Sequence, residues 1–319
     1  MTRLPARSFT FYTLVALVLS ILGLNETTAQ QTRDPQPVLA AQEIRVMSFN
    51  IRYGTASDGD NHWDQRKDRV AATVQAFQPD LLGTQETLDF QKTFLGEKLP
   101  AYTHIGVGRD DGSERGEMTA IFFKTDRFER LAEGHFWLSE TPAVPGSKSW
   151  DSSLPRIASW VKLNDRRFDD SRPILFINTH FDHRGNEARI QSARLIVEQA
   201  ETLGVGCDVV ITGDFNAGEG SVPYQILFAN NETSPTQSRL IDTFLVAGKP
   251  DPRGQATFSA FRADVFGGNR IDWIAVSPSW GILQAVIDRT ATDGRAPSDH
   301  YPVTAVLAQA PATYPDLGK

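Results

Sequence analysis

Short apolar runs, punctuated by polar turns, recur along most of the chain and set its reading as a strand-rich domain. Ile44–Ile51, Asp80–Gln85, Glu117–Phe123, Ile157–Leu163 and Pro173–Phe181 each read as a strand, as do Asp208–Thr212, Ile271–Val276, Ile282–Asp288 and Pro302–Ala308. Two stretches carry the helical period instead. Val70, Val74 and Phe77 fall on one face of a helix for which Asp64 is a suitable N-cap and Pro79 a stop. Within Glu187–Leu203, Ile190, Ala193, Ile196, Val197 and Ala200 form a second apolar face, and Gly204 is suited to end it. Many strands with helices between only some of them predict mixed sheets. Two such sheets packed face to face, with helices outside, would bury these runs in an α/β fold.

The ends of the chain lack this pattern. Arg3 and Arg7 precede an apolar stretch from Phe9 to Leu24, and Thr27-Thr28-Ala29 offers small residues for cleavage, so residues 1–29 read as a signal peptide. The apolar stretch is short for a membrane span, which takes about 20 residues. The chain is therefore expected to be exported, to the periplasm or beyond the cell, with no stable membrane span after cleavage; retention as an anchor is the alternative. Residues 30–42 read as a linker, 43–309 as one domain and 310–319 as a tail.

Composition narrows the partners. Formal net charge is −7, and loss of Arg3, Arg7 and Glu26 with the leader makes it −8. Non-specific nucleic-acid binders are usually basic, because phosphate neutralisation supplies most of their affinity. Nucleic acid therefore stays open as a substrate but is not favoured. The single cysteine, Cys207, rules out an intrachain disulfide and a Cys-rich zinc site, and reads as a buried structural thiol. A monomer is expected.

The chemistry-bearing residues collect where strands end. Asn50 closes the first run and Glu86 follows the second. His180 and Asp182 end another, Asp214 and Asn216 follow a fourth, Asp272 opens a fifth, and Asp299-His300 precedes the last. Any one of these is ordinarily a turn or cap residue. Together they point to a shared sheet edge, where functional loops commonly sit.

In order along the chain, Ser48-Phe49-Asn50, Gln85-Glu86, Asn178-Thr179-His180, Gly213-Asp214-Phe215-Asn216, Ile271-Asp272 and Ser298-Asp299-His300 resemble the motifs of the endonuclease/exonuclease/phosphatase superfamily. The resemblance spans nearly the whole domain. It implies a four-layer α/β sandwich of two packed mixed β-sheets flanked by helices, with a divalent metal at their shared edge. The implied activity is metal-dependent phosphoester hydrolysis by in-line attack of water.

The resemblance also implies roles. Glu86 is the natural direct ligand of Mg²⁺ (or Mn²⁺), with Asn50 and Asp299 completing or orienting that site. Asp214 would align and deprotonate the attacking water, and Asn216 would hold a phosphoryl oxygen. His180 and His300 would donate to the non-bridging oxygens, with Asp272 orienting His300 and keeping it charged. Asp182 is a candidate proton donor to the leaving group, against a structural role beside Arg184 or Arg189, and His183 reads as a loop residue. Trp63 and Trp150 are either packed at the domain edge or, with Lys148 and Arg156, an aromatic and cationic platform for a base, sugar or second phosphate. No tyrosine between Tyr102 and His180 matches the phosphate-touching tyrosine of the superfamily's nucleases.

The leading expectation is a phosphodiesterase acting on an extracellular nucleic acid, lipid headgroup or phosphoglycan. A phosphomonoesterase of the inositol-phosphatase type is the second reading. A secreted binding protein that has lost catalysis is the third, disfavoured because every expected acid and imidazole is present.

Overall fold

A computed structural model describes residues 43–168, 171–228 and 240–309. The expected leader, linker and tail lie outside the described residues. Two six-stranded sheets are packed face to face. Sheet one runs in the order β11 (Trp280–Ile287), β12 (Val303–Gln309), β1 (Glu43–Asn50), β2 (Leu81–Thr87), β4 (Met118–Lys124) and β3 (Tyr102–Ile105). Sheet two runs β5 (Phe128–Trp137), β6 (Ile157–Asp165), β7 (Ile174–His180), β8 (Asp208–Asp214), β10 (Asp272–Val276) and β9 (Ile241–Asp242). The central pairs β1–β2 and β7–β8 are parallel and the others antiparallel, so both sheets are mixed. Helices α1 (Trp63–Phe77) and α2 (Asp89–Lys98) cover sheet one, and α3 (Asn186–Leu203) covers sheet two. Two short helices, α4 (Val222–Phe228) and α5 (Thr243–Ala247), fill the connections towards β10.

The two-residue side-chain period explains the layering. In β1, Ile44 and Val46 face the other sheet, while Met47 and Phe49 face α1 and α2. In β7, Ile174 and Phe176 face inward while Leu175 and Ile177 meet α3. Both faces of these strands are buried, which is why they read as continuous apolar runs rather than alternating ones.

Most predicted elements appear within two residues of their expected ends. The cap of α1 is a correction: His62, not Asp64, is the N-cap, its ring accepting from the Asp64 N–H at 3.4 Å. Asp64 sits inside the first turn, where its charge still suits the helix dipole. Strands β3, β5 and β9 and helices α2, α4 and α5 were not expected. Cys207 is also corrected: it is half-buried, its thiol pointing to the Val205 carbonyl oxygen at 3.7 Å. No helix among the described residues is long and apolar enough to cross a membrane.

Candidate active site

Where the inward faces of the central strands reach one edge of the sandwich, their residues change from apolar to polar. In β1 the inward series is Ile44, Val46, Ser48, Asn50; in β7 it is Ile174, Phe176, Asn178, His180; in β8 it is Val210, Thr212, Asp214. Strand β10 runs the other way, so its inward series Val276, Ile274 ends on Asp272 at the same edge. Register then places His180 opposite Asp214, and Asp214 opposite Asp272. Glu86 joins them through a bulge: the β2–β4 register shifts between Thr84 and Thr87, and Glu86 has φ 57°. Asn216 and Arg52 also hold positive φ, 48° and 57°. Left-handed backbone at non-glycine residues is costly and concentrates at functional sites.

The side chains form one connected group. Asn50 donates through Nδ2 to Glu86 Oε1 at 3.1 Å and to Asp214 Oδ2 at 3.0 Å. Asp214 Oδ2 lies 3.5 Å from His180 Nε2 and 3.7 Å from His300 Nε2. His300 donates through Nδ1 to Asp272 Oδ2 at 2.9 Å. Asn216 donates through Nδ2 to the Phe181 carbonyl oxygen, and the same amide faces His180 Nε2 at 3.1 Å.

Burial and charge separate the two imidazoles. Burial opposes charge on His300, but Asp272 and then Asp214 overcome it and hold the ring protonated, its pKa well above the ordinary value. His180 goes the other way: burial, then the nearby Arg156 and Arg109 charges, hold it neutral. His300 is thus the charged imidazole of the pair, and His180 the neutral one. Burial, and after it the Asp272 charge, pushes the Asp214 carboxyl up to about 7, the range in which a carboxylate is an effective base.

Two donor sets suit a divalent metal. Asp214, Asp272 and His300 offer ligand atoms within 4.8 Å of one another. That set already spends a His300 nitrogen on Asp272, and His300 is cationic, which disfavours a second positive charge there. Glu86 and Asp299 are the better candidates for a divalent cation. Both line the cavity, both are hard oxygen donors, and both draw the Arg52 guanidinium, which lies 3.9 Å from Glu86 and 3.7 Å from Asp299. Burial and the Glu86 charge raise the Asp299 carboxyl, so a cation between the two would relieve both. Asn50 holds Glu86 from behind.

Asp182 does not reach this group. Its carboxylate is fully buried and accepts from Ser153 Oγ at 2.6 Å, Gly185 N–H at 2.7 Å and Arg184 N–H at 2.9 Å, with Arg156 Nε at 3.4 Å. It has no proton to give and does not line the cavity, so the leaving-group acid role is corrected to one of holding Arg156 and the loop after His180. His183 does line the cavity, accepting from Arg156 Nη2 at 2.9 Å. Trp63 is buried against Phe94, and neither Trp150 nor Lys148 lines the cavity.

Sequence reasoning missed several lining residues of this cavity, whose volume is about 750 Å³. Arg52 and Tyr53 come from the loop directly after Asn50, and Glu117 faces His180 Nδ1 at 4.0 Å. Glu117 is held by a two-point pair with Arg109, both contacts 2.8 Å. The opposite wall is the segment 256–269, including Phe258, Arg262 and Asn269. Opposed charges bracketing the turn from Asp110 to Gly116 were the available signal for Arg109 and Glu117; nothing in the sequence singled out Phe258.

A four-layer sandwich whose edge gathers two oriented imidazoles, a raised carboxylate and a carboxylate pair suited to a divalent metal defines a metal-dependent phosphoric ester hydrolase. The chain belongs to the Endonuclease/Exonuclease/phosphatase family, whose model matches residues 47–300. It is similar to a mannosyl-6-phosphatase from Bacteroides thetaiotaomicron, at 38% identity with TM-score 0.75, covering 83% of this chain and 99% of that one. An endonuclease/exonuclease/phosphatase family protein from Bacteroides vulgatus is 35% identical with TM-score 0.76, covering 84% and 99%. Mouse nocturnin is 22% identical over 292 residues, 81% of this chain, and the match spans 63% of nocturnin's length.

Proposed function

We propose that the protein is a phosphomonoesterase that removes the phosphate of a sugar, in place of the phosphodiesterase expected from sequence. The single observation that carries this is Arg156. Its side chain is buried, lines the cavity beside His180, and keeps one Nη1 without a hydrogen-bond partner. A phosphodiester offers two non-bridging oxygens; a phosphomonoester dianion offers three and one more charge. Asn216 and His300 account for donors to two oxygens, and a buried guanidinium with a spare N–H is the donor a third requires. The mannosyl-6-phosphatase likeness supports the same reading.

In this reading Asp214 takes the proton of the attacking water, at a pKa suited to that task. His300, oriented and charged through Asp272, donates to a non-bridging oxygen, and Asn216 to another. His180, neutral, stands beside Asn216 and Asp214, its Nε2 3.1 Å from the Asn216 amide nitrogen and 3.5 Å from Asp214. Glu86, oriented by Asn50, would hold Mg²⁺ or Mn²⁺ together with Asp299, and the ion would polarise the phosphoryl group and offset its charge. Residues 1–29 support export, so the substrate would be periplasmic or extracellular.

The test is a pair of chromogenic esters, p-nitrophenyl phosphate and its bis-ester, with Mg²⁺, Mn²⁺ and EDTA arms and Asp214→Asn as the blank. The expected outcome is metal-dependent turnover of the monoester in preference to the diester, with Arg156→Met reducing monoester turnover more. Preference for the diester, unaffected by Arg156→Met, would return the sequence-based expectation.

A further inference from the structure

The wall formed by residues 256–269 is tied down unusually well for a segment without regular secondary structure. The N–H groups of Ser259 and Ala260 both donate to the Asp299 carbonyl oxygen, at 2.6 and 3.1 Å. Ala296 N–H donates to the Phe261 carbonyl oxygen, and Tyr301 Oη donates to the Arg262 carbonyl oxygen at 2.7 Å. Arg289 donates to the Ala256 carbonyl oxygen, and Phe266 is covered by Arg253 and Arg289. Within this frame Ala260 and Phe261 are both left-handed, φ 49° and 67°, a strained pair that persists only where the surroundings impose it. The turn sends Phe261 inward towards Arg66 and leaves Arg262 exposed on the cavity side.

Such rigidity would be unremarked if the segment presented only polar residues. It presents Phe258, which stays 47% exposed while standing edge-on to His300, ring centroids 5.2 Å apart at 75°. Leu154, also exposed, lines the same cavity from the β5–β6 connection. Arg262 and Asn269 line it as well, and neither side chain has a hydrogen-bond partner within the described residues. The cavity thus holds an apolar face fixed next to a catalytic imidazole, with uncommitted polar groups around it.

We propose that Phe258 is a specificity-determining platform for the leaving group, with Leu154 as its apolar counterpart, and that the occupant is a pyranose ring. A pyranose has an apolar C–H face and hydroxyls around its rim, so it uses an aromatic face and separate hydrogen-bonding side chains together; Arg262 and Asn269 supply the latter. The proposal rests on the phosphomonoester reading and names the residues that hold its sugar and the ring form it takes. No residue of the reacting group is reassigned.

The test compares kcat/KM for mannose 6-phosphate, glycerol 3-phosphate and adenosine 5′-monophosphate in the wild type, Phe258→Ala and Phe258→Trp, at saturating Mn²⁺. The wild type is expected to favour the hexose phosphate. Phe258→Ala should lower the ratio of hexose to glycerol phosphate about tenfold, chiefly through KM, and Phe258→Trp should restore it. An equal proportional loss on all three substrates would overturn the platform and make Phe258 a support for His300. A loss confined to the nucleotide would replace the pyranose with a nucleobase and overturn the proposal. If the wild type cleaves bis-p-nitrophenyl phosphate but none of the three monoesters, the phosphomonoester reading itself fails, and this proposal with it.

Discussion

Gln85 donates through Nε2 to Asn178 Oδ1 at 2.7 Å, joining β2 of one sheet to β7 of the other. Glu86 and His180 follow these residues on the same two strands, so the contact ties together the strand ends that carry both. Asn178 is satisfied completely: its Nδ2 donates to the Thr84 and Ala120 carbonyl oxygens, and its Oδ1 also accepts from Thr212. Gly83 makes room for it, since a Cβ there would lie 2.6 Å from Asn178 Oδ1 and 2.2 Å from Thr212 Oγ1. Replacing Asn178 with Ala strands several buried polar groups at once. We expect a loss of about 3 kcal/mol in urea unfolding, with kcat falling as well. A variant as stable as the wild type would show that the two sheets do not depend on this link.

Asp272 acts on the reaction only through His300. Asp272→Asn keeps the shape of the contact but removes the charge that holds the ring protonated and oriented. We expect kcat/KM to fall by roughly 10² to 10³ with little change in thermal stability. An unchanged rate would mean that His300 needs no carboxylate behind it.

These two relationships show what the sequence could and could not reveal. The strand-end motifs located the acids and imidazoles because each sits on a strand whose apolar run is easily read, and the two-residue period carries Asn50, His180, Asp214 and Asp272 to one face. Strand β5 was missed because its middle residues, Glu129 to Glu133, are exposed at a sheet edge and leave no apolar signature. The cavity wall was missed for a different reason. Phe258 owes its position to carbonyl contacts with Asp299 and Tyr301 that no local pattern encodes, and Asp182 looked reactive because its burial under Ser153 and Arg156 is a tertiary fact.

Glu86 provides the direct test of the metal site. Glu86→Gln retains the hydrogen-bonding size of the side chain but halves the carboxylate pair it forms with Asp299. Calorimetric titration with Mn²⁺ should show binding weakened by about a hundredfold or lost. Activity of the wild type should vanish in EDTA and return with added metal. Undiminished Mn²⁺ binding by the variant would move the metal to the Asp214, Asp272 and His300 set.

Arg66 is a buried guanidinium on α1 whose hydrogen bonds all go to backbone carbonyls: Ile51 at 2.5 Å, Arg52 at 2.9 Å, Asn61 at 2.9 Å and Pro297 at 3.4 Å. Burial lowers its pKa to about 10, still charged at neutral pH, and Asp299 is the carboxylate that most favours that charge. It therefore pins the loop after Asn50 to the segment leading to Asp299, and so spaces the proposed metal carboxylates. Arg66→Met should weaken Mn²⁺ binding roughly tenfold in calorimetry as well as lowering stability, and Arg66→Lys should recover stability more than metal affinity. Equal metal affinity in all three proteins would reduce Arg66 to a purely structural residue.

Asp182 should govern acid stability rather than turnover. Burial pushes its carboxyl up, but hydrogen bonds from Gly185, Ser153 and Arg184, and then the Arg156 charge, more than reverse this and hold it well below the ordinary carboxylate value. A carboxyl depressed in the folded state stabilises the fold at pH values above its unfolded pKa, about 3.9, and loses that contribution as pH falls towards the folded value. Asp182→Asn removes the charge and sets an NH2 donor against one of the two groups of donors, so it should be less stable than the wild type by about 3 kcal/mol at neutral pH. The gap between the two proteins should shrink steadily below about pH 4 in urea denaturation. A gap that stays constant down to pH 3 would show that the Asp182 charge contributes nothing beyond its shape, and would reopen its role as an acid in the reaction.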